Sequence, residues 1–206
     1  MSDFTQILQE MLSLHVSENE FVRITDTINA YLDLLLKWNK VYNLTAIRDL
    51  NAMRSLHILD SMAVLPFIQG TNIIDIGTGA GLPGVIIAIV RRDFNVTLLD
   101  SNGKKTRFLE EVQRFLCLKN TTVVKARVLD FQPDTKFATV VSRAFASISD
   151  MYHGSRHLLA KNGVLVAMKG RIPTSELEGI TSSYQVNTYK VPGISGDRCC
   201  VVIENS

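Results

Sequence analysis

Thirteen residues, N-I-I-D-I-G-T-G-A-G-L-P-G over positions 72–84, narrow the folds open to this chain more than any other stretch. An apolar run over Asn72–Ile76 reads as a strand, a glycine-rich turn follows, and a helical pattern begins near Leu82. Gly79, Gly81 and Gly84 fit G-x-G-x-x-G, the turn that receives nucleotide cofactors at the first crossover of a parallel sheet. By itself this match has little specificity. Asp100 sharpens it: it ends the next apolar run, 19 residues after Gly81, where a carboxylate accepts hydrogen bonds from both hydroxyls of an adenosine ribose. A nicotinamide dinucleotide and S-adenosylmethionine share that geometry. Asp75 discriminates, because a carboxylate repels a pyrophosphate and attracts an ammonium or sulfonium. The run D-x-G-x-G-x-G therefore favours S-adenosylmethionine. The competing reading of Asp75 is a turn cap bonded to local N–H groups.

Beyond residue 71 short apolar runs alternate with amphipathic stretches. Strands are predicted near 72–76, 96–100, 122–125, 139–142 and 163–168, and helices over about 82–90, 104–116 and 149–159. Such alternation specifies βαβ units and a mostly parallel sheet. The tail differs: 184–191 and 198–203 read as strands joined through Pro192, Gly193 and Gly196 with no helix between, an antiparallel hairpin for the sheet's edge. Residues 1–70 read helical. Ser17 and Glu20 have capping-box spacing, and Phe21, Ile24, Ile28, Leu32, Leu35 and Leu36 then form one apolar stripe, with Trp38 closing the segment. Positions 39–49 read as a loop, and a second helix over about 51–65 carries Met53, Leu56, Leu59 and Met62 on one side. With 46% hydrophobic residues in 206, one core needs neither disulfide nor metal. The expectation is a single domain over 1–206, in which a helical N-terminal extension (1–70) packs on an α/β core (71–206).

Twenty-two basic against 20 acidic residues give a charge of +2, which excludes a polybasic protein binding by bulk charge but leaves room for a local basic rim. Cys117, Cys199 and Cys200 have no metal or disulfide spacing, as expected for free thiols in a reducing compartment. No run approaches the ~18 apolar residues of a membrane span. An early Asp and no basic n-region argue against a secretory signal, so a cytoplasmic location is expected.

Several segments together resemble one family: K-W-N-K-V-Y-N-L-T at 37–45, H-I-L-D-S at 57–61, the glycine segment at 75–84, L-D-S at 99–101 with Lys104 and R-F-L at 107–109, S-R-A-F-A-S at 142–147, K-G at 169–170 and G-D-R at 196–198. In this order they are similar to the ribosomal RNA small subunit methyltransferase G family, also called glucose-inhibited division protein B. The resemblance implies a class I S-adenosylmethionine-dependent methyltransferase fold. That fold is Rossmann-like, a mostly parallel seven-stranded sheet with an antiparallel C-terminal strand, here with the helical N-terminal extension. It also implies methyl transfer from S-adenosylmethionine, leaving S-adenosylhomocysteine, to N7 of one guanine in the decoding-region loop of 16S rRNA. The substrate is the RNA or the small-subunit ribonucleoprotein. Carried over by position, Gly77 and Leu82 contact the cofactor, Val128 and Leu129 flank its adenine, and Arg143 stands at the cleft. Asp75, Gly79, Gly81 and Asp100 complete the candidate cofactor set. Two positions depart from the family: Leu129, where an acidic residue is common, and Cys199, where a histidine commonly follows the Arg198 position.

Guanine N7 carries an in-plane lone pair, so its methylation needs no deprotonation and no acid/base residue is expected. Positioning carries the catalysis, with Arg143 and Asn43 as candidates. The base must leave its stack. Arg143 and Phe145 follow a predicted strand, where open α/β sheets bind ligands. Arg143 either engages the target or pairs with a cleft carboxylate. Asp60 and Asp75 are weaker candidates to read the guanine N1–H and N2–H₂ edge. Lys104, Arg107, Lys169 and Arg198 are candidate RNA contacts, with Arg171 near them, while Lys105 reads as an ordinary surface charge. His57 fits a packed core histidine as readily as an RNA contact, and His15, His153 and His157 have no ligand spacing, so no metal is expected. A monomer is expected. The alternatives are a nicotinamide-dependent oxidoreductase, for which no Ser-Tyr-Lys set is present, and a non-enzymatic RNA-binding or cofactor-sensing protein with the same fold.

Overall fold

Parallel strands covered on both faces must be apolar along their length, and the runs that satisfy this rule are the strands of the computed structural model. The structure describes residues 3–12, 16–143, 145 and 147–205, so His15, and Ala144 and Ala146 of S-R-A-F-A-S, lie outside the described residues. The strands are β1 (Asn72–Ile76), β2 (Asn95–Asp100), β3 (Thr121–Lys125), β4 (Phe137–Ser142), β5 (Leu159–Lys169), β6 (Tyr184–Tyr189) and β7 (Arg198–Glu204). Among the described residues they form one seven-stranded sheet in the order β3-β2-β1-β4-β5-β7-β6. Neighbours from β3 to β5 pair in parallel, whereas β7 is antiparallel to β5 and to β6. The predicted hairpin is therefore present, with β7 inside and β6 at the edge. Strand order reverses between β1 and β4, which makes their carboxyl ends the switch point where such sheets bind cofactors.

The longer helices that follow strands of the sheet are α5 (Gly84–Val90), α6 (Gly103–Phe115) and α7 (Ile148–Ser155). Every residue of α5 is buried. A helix apolar all round needs a second cover, and the extension supplies it. The extension comprises α1 (Asp3–Leu12), α2 (Glu18–Tyr42), α3 (Leu50–Met53), a π-helical turn (Arg54–Leu59) and α4 (Asp60–Met62). The Ser17 side chain accepts from the Glu20 N–H, as the capping box specifies. Ile24, Ile28, Leu32 and Leu35 are buried along α2, together with Tyr31. Extension and sheet share one apolar cluster in which Ile24, Leu35 and Met53 join Val85, Phe108 and Val166.

Two boundaries differ from the sequence reading. The first helix runs past Trp38 to Tyr42, so the loop is shorter than 39–49. Trp38 stacks on Tyr42 at 5.2 Å and packs on Phe108 at 5.6 Å. Asn39 is buried rather than looped out, and its Oδ1 accepts from the Thr45 N–H at 2.9 Å, which ties down the chain after the helix. The second helix ends at Met62 and is interrupted by the π-helical turn. A short helix, α8 (Thr174–Leu177), lies between β5 and β6.

Candidate active site

The glycine loop connects β1 to α5, and its residues divide into those facing a ligand and those holding the loop. Gly77 has φ 64°, and a Cβ there would meet nothing within 4 Å, so its bare backbone faces open space. Gly81 has φ 93°, and a Cβ there would lie 2.3 Å from Val85 Cγ2 and 2.9 Å from Leu109 Cδ2. Its role is close packing of loop against helix. Leu82 is 4% exposed and packs in the core cluster. Asp75 is fully buried, and its Oδ2 accepts from Thr78 Oγ1 at 2.6 Å and from the Gly84 N–H at 2.7 Å. Burial pushes its carboxyl up to about 7, against the pull of those two donors. Oδ2 thus staples the loop, as the turn-cap reading has it, while Oδ1 is buried without a hydrogen-bond partner. The Gly84 N–H, an amide that an anion at the helix start would seek, is already satisfied by Asp75, which disfavours a dinucleotide pyrophosphate there.

A cleft of about 550 Å³ opens at the carboxyl ends of β1, β2 and β3, with Gly77, Asp100, Ser101, Lys105, Val128, Leu129 and Phe145 among its walls. Asp100 is 5% exposed. Its Oδ2 accepts from the Gly79 N–H at 2.9 Å and its Oδ1 from the Asn102 N–H at 2.8 Å. A carboxylate offers about four lone-pair sites; with Lys105 Nζ a long third donor to Oδ2, acceptor capacity remains for a ribose hydroxyl. Val128 and Leu129 lie on a short 3-10 turn after β3 and give the cleft an apolar end. An acid, a bare glycine and an apolar wall in this arrangement fit a nucleoside cofactor. Of the candidate cofactor residues, Gly77, Asp100, Val128 and Leu129 come together here. Gly79 contributes through its N–H to Asp100, while the Cβ position of Gly81 and the side chain of Leu82 face the packed interior. Lys105, read as a surface charge, has its ammonium 3.5 Å from Asp100 Oδ2 and lines the cleft. The strand-turn-helix pattern, which sets Lys105 one turn into α6 above the end of β2, was the signal for it.

A second, smaller cavity of about 240 Å³ lies on the other side of the β4 end, walled by His57, Asp60, Arg143, Lys169, Tyr189 and Arg198 together with apolar residues. Asp60 is 4% exposed. Arg143 Nη1 stands 3.8 Å and Arg198 Nε 3.6 Å from its carboxylate oxygens. Burial raises the Asp60 pKa, and the two guanidinium groups oppose that rise. Arg143 also donates from Nη1 to the Leu56 carbonyl at 2.9 Å. It thus pairs with a cleft carboxylate, one of its two readings, and lines this smaller cavity. Lys169 donates to Glu176 at 2.7 Å while lining the same cavity. His57 Nε2 lies 2.9 Å from Thr45 Oγ1, and burial, with Arg143 nearby, pushes the imidazole down to about 4. Asn43 is exposed, caps α2 and accepts from Arg48, and it is not among the residues that line either cavity. Lys104 and Arg107 are exposed on the first turns of α6. Tyr31, which the apolar stripe of the sequence reading does not include, donates from its hydroxyl to the Ala80 carbonyl of the glycine loop at 2.7 Å.

Residues 24–198 match the family described as rRNA small subunit methyltransferase G. The chain belongs to this family. It is 50% identical over 206 residues to the ribosomal RNA small subunit methyltransferase G of Legionella pneumophila (Philadelphia 1), covering all of this chain and 99% of that protein. To the protein of the same name from Escherichia fergusonii it is 47% identical over 178 residues, covering 85% and 86%. Among solved structures, a SAM-dependent methyltransferase from Aquifex aeolicus superposes with a TM-score of 0.57 at 17% identity, over 74% of this chain and 92% of that one. A precorrin-6y C5,15-methyltransferase from Geobacter metallireducens gives 0.52 at 14%, over 80% and 92%. These likenesses show the class I methyltransferase fold. Among the described residues no helix is long and apolar enough to cross a membrane, and no group of three or more His, Cys, Asp or Glu side chains is placed to hold a metal ion.

Proposed function

We propose that this chain transfers the methyl group of S-adenosylmethionine to N7 of a single guanine in the decoding-region loop of 16S rRNA, presented as RNA or within the small-subunit particle. Methyltransferase action on rRNA follows from family membership. The observation that supports the cofactor and the transfer is the pairing of two cavities across the end of β4. One has the Asp100 carboxylate beside the bare backbone of Gly77, and the other is polar and sized for a base.

When bound, S-adenosylmethionine supplies an electrophilic methyl on a sulfonium centre. Asp100 would hold its ribose hydroxyls, Gly77 would admit its amino-acid end, and Val128 and Leu129 would cover its adenine. The guanine N7 lone pair needs no base. His57, the imidazole that lines the substrate-side cavity, is buried, kept neutral and bonded to a threonine rather than to a carboxylate. Arg143, Lys169 and Arg198 set the polarity of the substrate side, and Lys104 and Arg107 at the exposed start of α6 would meet RNA phosphates. Holding two reactants in line contributes about 7–11 kcal/mol in favourable cases, and that is the work assigned to the frame.

N7-methylguanine mapped across 16S rRNA from cells with and without the protein tests the reading. One position in the decoding-region loop is expected to lose its methyl in the deletion and to regain it with the wild-type chain. Asp100→Ala is expected not to restore it and to weaken S-adenosylmethionine binding in calorimetry by about tenfold or more. An unchanged methylation map in the deletion would overturn the reading.

A further inference from the structure

The substrate-side cavity carries more hydrogen-bonding capacity than the protein uses. The Asp60 side chain is 6% exposed, yet its ion pairs at 3.6 and 3.8 Å are too long for hydrogen bonds, and among the described residues nothing donates one to its carboxylate. Arg198 Nε and His57 Nδ1 are buried without a hydrogen-bond partner. Native proteins seldom leave buried donors and acceptors open. Here the open set includes an acceptor pair on Asp60 and an adjacent donor on Arg198, around an empty volume of about 240 Å³. Asp60 also begins the helix that follows the π-helical turn Arg54–Leu59, and such turns recur at functional sites. Asp75 does not line this cavity.

We propose that this cavity receives the Watson–Crick edge of the displaced target guanine, with Asp60 accepting from N1–H and N2–H and Arg198 donating to O6; this rests on the function proposed above. The donor–donor–acceptor order N2, N1, O6 matches a carboxylate beside a guanidinium. Adenine turns the N1 lone pair toward Asp60, and uracil flanks a single N–H with two carbonyl oxygens, so both are repelled. With this edge in the cavity, N7 lies on the opposite side of O6 and is free to face the cofactor cleft across the end of β4. As the methyl reaches N7, positive charge spreads into the ring and N1–H becomes a stronger donor. The Asp60 contact therefore tightens in the transition state, and its loss falls on kcat more than on KM.

Transfer to 16S rRNA carrying guanosine or inosine at the modified position tests this with the wild-type chain. Inosine keeps N1–H, O6 and N7 and lacks only the N2 amine. The wild-type chain is expected to methylate inosine more slowly by about tenfold or more. In Asp60→Asn, kcat on guanosine is expected to fall by about a hundredfold. KM for the RNA and the affinity for S-adenosylmethionine should stay within about threefold, and the preference for guanosine over inosine should shrink toward unity. Equal wild-type rates on guanosine and inosine, or a wild-type preference retained in Asp60→Asn, overturns the assignment. If Asp60→Asn does not fold, the wild-type comparison alone decides. No methyl on guanosine RNA from the wild-type chain overturns the functional reading itself, and that result appears before any inosine is used.

Discussion

Asp75 and His57 show how burial fixes the ionic state of single residues, and they do so with opposite signs. Both lose solvation on folding, and the charged form suffers in each case. For Asp75 the neutral form is the protonated one, so the folded value rises from 3.8 to about 7. Its contribution to stability is complete below the unfolded value and disappears as pH rises through 7. For His57 the neutral form is the deprotonated one, so the folded value drops from 6.5 to about 4. Its contribution is complete above 6.5 and disappears as pH falls through 4. The wild-type chain should accordingly lose up to about 3 kcal/mol between pH 6.5 and 4 through this imidazole. His57→Gln should flatten that part of the profile, read as the difference in urea-unfolding free energy between the two proteins across pH. A difference that does not change with pH would refute the assignment of His57 as a buried neutral group.

At the scale of the element, the glycine loop contains two positive-φ positions whose substitution should separate stability from binding. Gly81→Ala combines left-handed strain with a methyl 2.3 Å from Val85, so it should cost about 3 kcal/mol or more and lower the melting temperature of the unliganded protein. Gly77→Ala bears the strain alone, about 1–2 kcal/mol, because its methyl meets open space. That space is the cofactor cleft, so in calorimetry Gly77→Ala should lose more S-adenosylmethionine affinity for each degree of melting temperature lost. The same distinction explains how far the elements could be read from sequence. β1 to β5 were legible because burial on both faces requires apolar runs bounded by turns. The end of α2 was not, because Asn39 and Lys40 look like loop residues and the buried cap made by the Asn39 side chain leaves no periodic signal. The π-helical turn has no pattern of its own. Within the site, the spacing of Asp100 from the glycines survives in the cleft. Asp75 kept two readings because a carboxylate two residues before a glycine has one signature whether it points outward to a ligand or inward to the loop. Asp60 was legible as a candidate reader of the guanine edge but not distinguishable from Asp75, since its arginine partners follow β4 and begin β7, far away in sequence.

For the molecule as a whole, the N-terminal extension is part of the fold rather than an appendage. α5 is buried on every side, and its outer cover is α2. Val85, Ile89 and Phe108 share their cluster with Ile24, Ile28 and Leu35. Tyr31 adds a fully buried hydroxyl that holds the Ala80 carbonyl, so α2 also bears on the loop beside the cofactor cleft. Each large apolar side chain uncovered by removing α2 forfeits about 1.5–3 kcal/mol of burial, against a net stability of about 5–15 kcal/mol for a typical domain. Uncovering even a few of them removes that margin. Residues 71–206 expressed alone should therefore show no cooperative unfolding transition, no dispersed amide spectrum and no S-adenosylmethionine binding. The intact chain should melt in one transition whose midpoint rises with S-adenosylmethionine concentration. A fragment that melts cooperatively and binds the cofactor would make the extension a separate domain docked on a self-sufficient core. The burial of α5 and the hydroxyl of Tyr31 argue instead that the surface facing RNA and the loop facing the cofactor stand or unfold together.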